Sequence, residues 1–247
     1  MAQTEHRIAF EVSPKRVRAV IGDRTVADSL AVGLLLESGS RPAYYFPRAD
    51  VHADGIERSD HRTQSPSKGE ATWWHLTFGP RRIDNAAWSY EAPPAALEAM
   101  RGRLAFVADK VDHWYEEDEE VFGHPRDPYH RVDMRRSARH VRVRAAGEVV
   151  ADTKRAVFLF ETGHPTRYYI PREDVRADLL TPTKRSTTCP YKGNASYWSL
   201  AAGGRVIEDA VWAYLDPIPD CPQIKGLMCF YPDKVDAIEV EGGGHGG

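Results

Sequence analysis

The strongest constraint on this sequence is that it contains one unit twice. Val17 to Asp112 aligns with Val141 to Asp236 at a constant offset of 124 residues, without a gap. The motif Tyr-Tyr-Phe-Pro-Arg-Ala-Asp-Val at 44–51, for example, recurs as Tyr-Tyr-Ile-Pro-Arg-Glu-Asp-Val at 168–175. A period of this length is too long for a solenoid repeat and fits a whole small domain. The sequence therefore predicts two homologous domains, over residues 17–115 and 141–240.

The segment between the copies, 116–140, has the composition of an exposed connector. It opens on the acidic run 116–120, continues through Gly and Pro residues, and ends in the basic stretch 135–139. A basic stretch can contact nucleic acid, but the formal net charge of −3 and the neighbouring acidic run argue against a nucleic-acid-binding protein. The Gly-rich residues 241–247 predict a flexible tail.

Within each copy the apolar segments are short and separated by turn residues. Gly22-Asp23 and Ala146-Gly147 stand where a hairpin would turn. Pro47 and Pro171 each open a short helical turn, followed by the acidic residues that a helix start favours. The pattern predicts a mainly β fold of two small antiparallel domains with little helix.

Composition narrows the protein class further. No apolar run approaches the roughly 18 residues of a membrane span, and the first residues lack the apolar core of a signal peptide. The three cysteines, Cys189, Cys221 and Cys229, are an odd number confined to the second half, which favours reduced thiols. We expect a cytoplasmic protein with no membrane partner.

Motifs that carry catalysis or metal binding are missing from the sequence. It has no Walker loop, no G-x-S-x-G, no H-E-x-x-H and no C-x-x-C, so we predict no metal and no cofactor. Two weak catalytic candidates remain. Cys189 lies near Lys192, whose ammonium group could activate the thiol. Asp174 and Asp178, spaced i,i+4, could form an acid/base or cation-binding pair, or merely complete the turn after Pro171.

Matched aromatic and cationic residues are the most informative group. In the second copy the candidate ligand-binding residues are Tyr169, Arg172, Tyr191, Lys192, Trp198, Trp212 and Tyr214. Trp212 and Tyr214 share one face of a strand and could stack a planar ligand, or they could be core residues. Arg172 and Lys192 could hold an anion. Alternatively, an internal Glu–Arg pair fixes the fold, because Glu161 ends a buried strand and needs a partner.

These motifs resemble the bacterial family known as domain of unknown function 427. The resemblance rests on Glu-Thr-Gly-His-Pro at 161–165, on the motif at 168–175, on Cys-Pro-Tyr-Lys-Gly at 189–193 and on Phe-Tyr-Pro-Asp-Lys-Val at 230–235. It implies a tandem member with a β-tent-like fold, in which two antiparallel sheets meet over a groove and some relatives carry an aromatic cage. The family is also filed under a nucleotidyltransferase name, but Gly39-Ser40 and Gly163-His164 lack the D-x-D pair of that activity.

These observations favour a binding module for a small planar or anionic molecule, held in an aromatic groove. An enzyme acting on a nucleotide or a similar small molecule, and a protein-interaction scaffold, are the alternatives. We expect the second copy to be the tighter site, because Cys189 and Tyr191 stand where the first copy has Ser65 and Ser67.

Overall fold

A computed structural model describes residues 6–242 of the chain. The chain divides into two compact units between Asp127 and Pro128, and both are built almost wholly of antiparallel strands. The prediction of a mainly β protein of two small domains with little helix is confirmed.

Eleven strands lie between residues 6 and 127. They are β1 (Ile8–Val12), β2 (Val17–Ile21), β3 (Arg24–Ser29), β4 (Gly33–Glu37), β5 (Ala43–Pro47), β6 (Gly55–Ser65), β7 (Gly69–Phe78), β8 (Arg81–Ser89), β9 (Arg103–Phe106), β10 (His113–Glu116) and β11 (Glu119–Val121). Short 3-10 helices cover Arg48–Asp50, Ala95–Met100 and Ala108–Lys110.

The second unit repeats these elements. Its strands are β12 (Val132–Arg136), β13 (Val141–Ala145), β14 (Glu148–Thr153), β15 (Val157–Glu161), β16 (Arg167–Tyr169), β17 (Leu180–Cys189), β18 (Gly193–Ala202), β19 (Arg205–Pro217), β20 (Cys229–Phe230) and β21 (Ala237–Val240). Its 3-10 helices cover Arg172–Asp174, Ala177–Leu179 and Pro222–Ile224.

Strand order is the same in both units, except that β11 has no counterpart among the described strands of the second unit. The large sheet of the first unit runs β1-β4-β5-β9-β8-β7-β6, beside a smaller sheet β11-β10-β2-β3. In the second unit β12-β15-β16 and β20-β19-β18-β17 follow the same order, joined by the bridge between Ile170 and Met228. The smaller sheet there is β14-β13-β21. Even the register shifts recur, between Arg58 and Arg62 and between Pro182 and Ser186.

The repeat begins earlier than the sequence predicts. Strands β1 and β12 lie at the same offset of 124, and each pairs with the strand at the sheet edge, β4 or β15. The connector expected over 116–140 therefore contains β11 and β12. The alignment misses this strand because β1 and β12 share no identical residue, since a half-exposed edge strand constrains its side chains weakly. The tail expected over 241–247 lies outside the described residues from 243 onward.

Each large sheet has apolar residues on both faces. In the first unit one face packs on the smaller sheet through residues such as Tyr44, Trp74 and Leu76. The opposite face carries a second cluster that includes Tyr45 and Tyr90. Adjacent residues of a strand point to opposite faces, so the two neighbouring tyrosines enter different clusters. The second unit has the same two clusters.

Candidate functional site

The first unit contains an open cavity of about 250 Å³ at the edge of its smaller sheet. Five aromatic side chains form much of its wall: Tyr44, Trp88, Phe106, Trp114 and Phe122. Arg41, Ala43 and His124 also line it. A mostly apolar cavity with a few polar groups is the usual form of a small-molecule site.

Five separate segments bring these residues together. Tyr44 lies on β5, Trp88 on β8, Phe106 at the end of β9 and Trp114 on β10. The segment 121–125, which follows the β10–β11 hairpin, supplies Phe122. The Trp114 ring centroid lies 6.2 Å from that of Tyr44 and 6.4 Å from that of Phe106, so the indole is held by packing on both sides.

Hydrogen bonds fix two of the aromatic walls. The Tyr44 hydroxyl donates to Oε1 of Glu116 at 2.5 Å, and Lys15 forms an ion pair with Oε2 of the same carboxylate. Burial, reinforced by the charge of Glu116, raises the pKa of Tyr44, so the phenol stays protonated. Trp88 donates from Nε1 to the Tyr45 hydroxyl at 3.0 Å. These contacts hold both rings in one orientation.

In the second unit larger side chains cover the matching tryptophan. Arg167 replaces Ala43 and lies over the Trp212 ring at 5.6 Å, and Tyr231 replaces Val107 with its ring centroid 4.4 Å from that of Trp212. Ile238 stands in the place of Trp114. The first unit is therefore open where the second carries an arginine and a tyrosine against its tryptophan.

The residues predicted to bind a ligand in the second unit do not form one exposed site. Trp198 packs in the cluster beneath the smaller sheet, whereas Tyr169, Trp212 and Tyr214 pack in the cluster on the opposite face. All four are buried, and Trp212 donates to the Tyr169 hydroxyl at 3.3 Å. Burial raises the pKa of both Tyr169 and Tyr214. The geometry thus places these aromatics in the core.

Lys192 and Tyr191 belong to a third group, around a carboxylate. Lys192 is buried and pairs with Glu161, and the Nε2 atom of His130 lies 3.1 Å from the same carboxylate. The Tyr191 ring stacks on His130 with centroids 4.2 Å apart. Although burial works to raise the pKa of Glu161, the hydrogen bonds from Lys192 and His130 outweigh it and the pKa is lowered.

The first unit repeats this ionic cluster. Glu37 pairs with Lys68, and Nε2 of His6 lies 3.3 Å from its carboxylate. The carboxylate at the end of the buried strand thus has a partner, as expected, but that partner is the lysine and not the arginine. Both histidines were missed from the sequence. The offset of 124 between His6 and His130 is the signal that would have found them.

The arginines that follow the repeated prolines, Pro47 and Pro171, lie instead against tryptophans. Arg48 stands over Trp74 at 4.3 Å, and Arg172 over Trp198 at 6.0 Å. A guanidinium over an indole face is attracted by the ring quadrupole. Arg172, a candidate anion-binding residue, therefore lies against the buried ring of Trp198.

The two catalytic candidates have structural partners. Asp174 accepts a hydrogen bond from Thr153 at 2.6 Å and pairs with Arg155, whose hydrogen bond lowers the pKa of Asp174. Asp178 pairs with a different arginine, Arg176. Cys189 is half-buried at the end of β17 and packs against the outer cluster of its unit.

Residues 6–242 contain neither a metal-binding cluster nor a membrane-spanning helix. No group of three or more His, Cys, Asp or Glu side chains there is arranged to hold a metal ion. None of the helices in that range has the length and apolar character needed to cross a membrane.

Comparison with known proteins gives one family. The sequence model of a domain of unknown function, DUF427, which also carries the label NTP_transf_9, matches residues 9–117 and again residues 133–241. Both matches include β1 or β12, in agreement with the structural repeat. The curated proteins contain no match to this chain. Since the two matches cover most of the sequence, the chain belongs to the DUF427 family and carries two copies of its domain.

Proposed function

We propose that this protein is a cytoplasmic binding module that holds a small planar molecule in the aromatic cavity of its first copy. The observation that carries the proposal is the cavity itself, about 250 Å³ of open space between ordered aromatic rings. Pockets that bind drug-sized ligands have volumes of roughly 300–1,000 Å³. The cavity therefore suits a compact molecule of one or two rings.

The wall chemistry supports a planar ligand. Trp88 and Trp114 are both half-buried, so each ring has surface left to cover. Stacking a flat ring on an aromatic side chain contributes roughly 1–3 kcal/mol, by analogy with nucleic-acid bases. Because Trp88 is held by its hydrogen bond to Tyr45, little ordering is needed when the ligand enters.

The proposal differs from the expectation that the second copy binds more tightly. That expectation remains a prediction, and it rests on the apolar surface of Cys189 and Tyr191. The burial of Trp212 and its contacts with Arg167 and Tyr231 favour the first copy instead.

The substitution Ala43→Arg tests the proposal, because it introduces the side chain that covers the tryptophan in the second copy. Binding of the neutral probe 2-naphthamide to the full chain is measured by calorimetry. Losing one stacking contact of roughly 1–3 kcal/mol weakens binding by about tenfold or more. The matched control is Ala96→Arg, at an exposed alanine that does not line the cavity.

The proposal is wrong if neither 2-naphthamide nor its carboxylate analogue 2-naphthoate binds the wild-type chain, or if Ala43→Arg binds the probe as tightly as Ala96→Arg does. Circular dichroism and melting curves of both variants must first match those of the wild type.

A further inference from the structure

One cationic side chain lines the aromatic cavity without a charged partner. Arg41 lies in the turn before β5, is exposed, and lines the cavity beside Ala43 and Tyr44. It forms no salt bridge with any of residues 6–242, whereas most arginines of the same unit pair with a carboxylate. Its guanidinium is therefore available to a ligand.

The charges around the cavity favour an anion. Among the described residues, no Asp or Glu lines it. Glu116, which contacts the wall through Tyr44, has both carboxylate oxygens engaged, one by the Tyr44 hydroxyl and the other by Lys15. Lys15 thus compensates the negative charge of Glu116, whereas no described carboxylate pairs with Arg41.

We infer that the ligand of this cavity is a planar aromatic anion of the carboxylate class, whose acidic group pairs with Arg41 while its rings stack on the aromatic wall at Trp88. The planar guanidinium offers two parallel N–H donors that match the two oxygens of a carboxylate. This inference rests on the proposed function and adds the charge and the class of the ligand.

An aromatic wall alone is also suited to an organic cation. Arg41 makes a cationic ligand unfavourable, because its guanidinium would repel a second positive charge in the same cavity. The second copy has no equivalent group, since Pro165 takes the place of Arg41. Its arginine is Arg167, which is occupied by stacking on Trp212.

Two probes of the same shape distinguish the contribution of the ligand's charge to binding from that of ring stacking. Calorimetry on the full chain, at neutral pH and low salt, compares 2-naphthoate with its neutral analogue 2-naphthamide. Because a hydrogen bond to a charged group contributes more than a neutral one, we expect the carboxylate to bind about tenfold more tightly. Raising the salt concentration should weaken the carboxylate alone.

Variants at Arg41 assign the preference. Arg41→Gln should abolish the difference between the probes by weakening 2-naphthoate and leaving 2-naphthamide unchanged, and Arg41→Lys should restore part of it. The matched control is Arg58→Gln, at another exposed arginine of the first copy, which lies outside the cavity.

Equal binding of both probes by the wild type, or a carboxylate preference that survives Arg41→Gln, would overturn the inference and leave the proposed function standing. If neither probe binds, or if Ala43→Arg leaves both affinities unchanged, the proposed function fails together with the inference.

Discussion

The buried ion pair of the second copy makes the sharpest prediction about stability. Lys192→Met removes the ammonium group but keeps a long apolar side chain in place. The side chains of Lys192 and Glu161 are only 9% and 10% exposed, so the substitution leaves a carboxylate with little access to water.

The expected loss can be worked out from the remaining contacts. Removing one partner of a buried pair costs about 3–5 kcal/mol. His130 stays 3.1 Å from Glu161 and continues to stabilise it, so the lower end of about 3 kcal/mol applies. For a unit of this size, that corresponds to a fall in the melting temperature of roughly 10 °C.

Differential scanning calorimetry of the full chain measures the effect, since a chain of two units need not melt in one step. The double variant Glu161→Gln with Lys192→Met is the control, because it leaves no uncompensated charge and should recover much of the loss. A loss below about 1 kcal/mol for Lys192→Met would refute the reasoning. A double variant no more stable than the single one would refute it as well.

The same pair sets a pH dependence. The folded-state pKa of Glu161 lies below its ordinary value of 4.5, so the pair's contribution is present above that pH. It is lost as the pH falls through the lowered pKa, because the carboxyl must then be protonated. The penalty of Lys192→Met should therefore shrink over the same acidic range.

Two other predictions use the aromatic and thiol groups. Trp88→Ala should weaken 2-naphthamide binding about tenfold, by the loss of one stacking contact of roughly 1–3 kcal/mol, whereas Trp212→Ala should not. The sequence alone predicts the opposite result, and equal losses in two folded variants would contradict both. With a thiol reagent on the native protein, Cys189 should react before Cys229, whose pKa is raised to about 12 by complete burial. Peptide mapping of the modified chain checks the order, and faster modification of Cys229 would show that the core around it opens.

Much of the fold could be predicted from the sequence, because the two copies show the same pattern of strands and turns independently. Positions that must alternate between two faces, such as Tyr44 and Tyr45, obey strand geometry in both copies. The edge strands β1 and β12 were not predicted, because they pair through backbone hydrogen bonds that place few demands on their side chains.

The candidate site was harder to predict, because it depends on where space is left. The aromatic residues shared by the two copies predict a site at Trp212. The Trp212 ring is covered, however, by Arg167 and Tyr231, which are distant from it in sequence. The decisive differences are the small residues Ala43 and Val107 in the first copy, and small side chains carry no signal of their own. Trp114 has no aromatic counterpart, so a comparison of the copies passes over it.

The position of a bound probe decides whether the cavity of the first copy is the ligand site. A crystal structure of the full chain with 6-bromo-2-naphthoate, measured at the bromine absorption edge, locates the probe through its anomalous signal. We expect one bromine site in the first copy, with the naphthalene stacked on the aromatic wall at Trp88 and the carboxylate at Arg41. A bromine site against Trp212 of the second copy, with the cavity of the first copy empty, would contradict it.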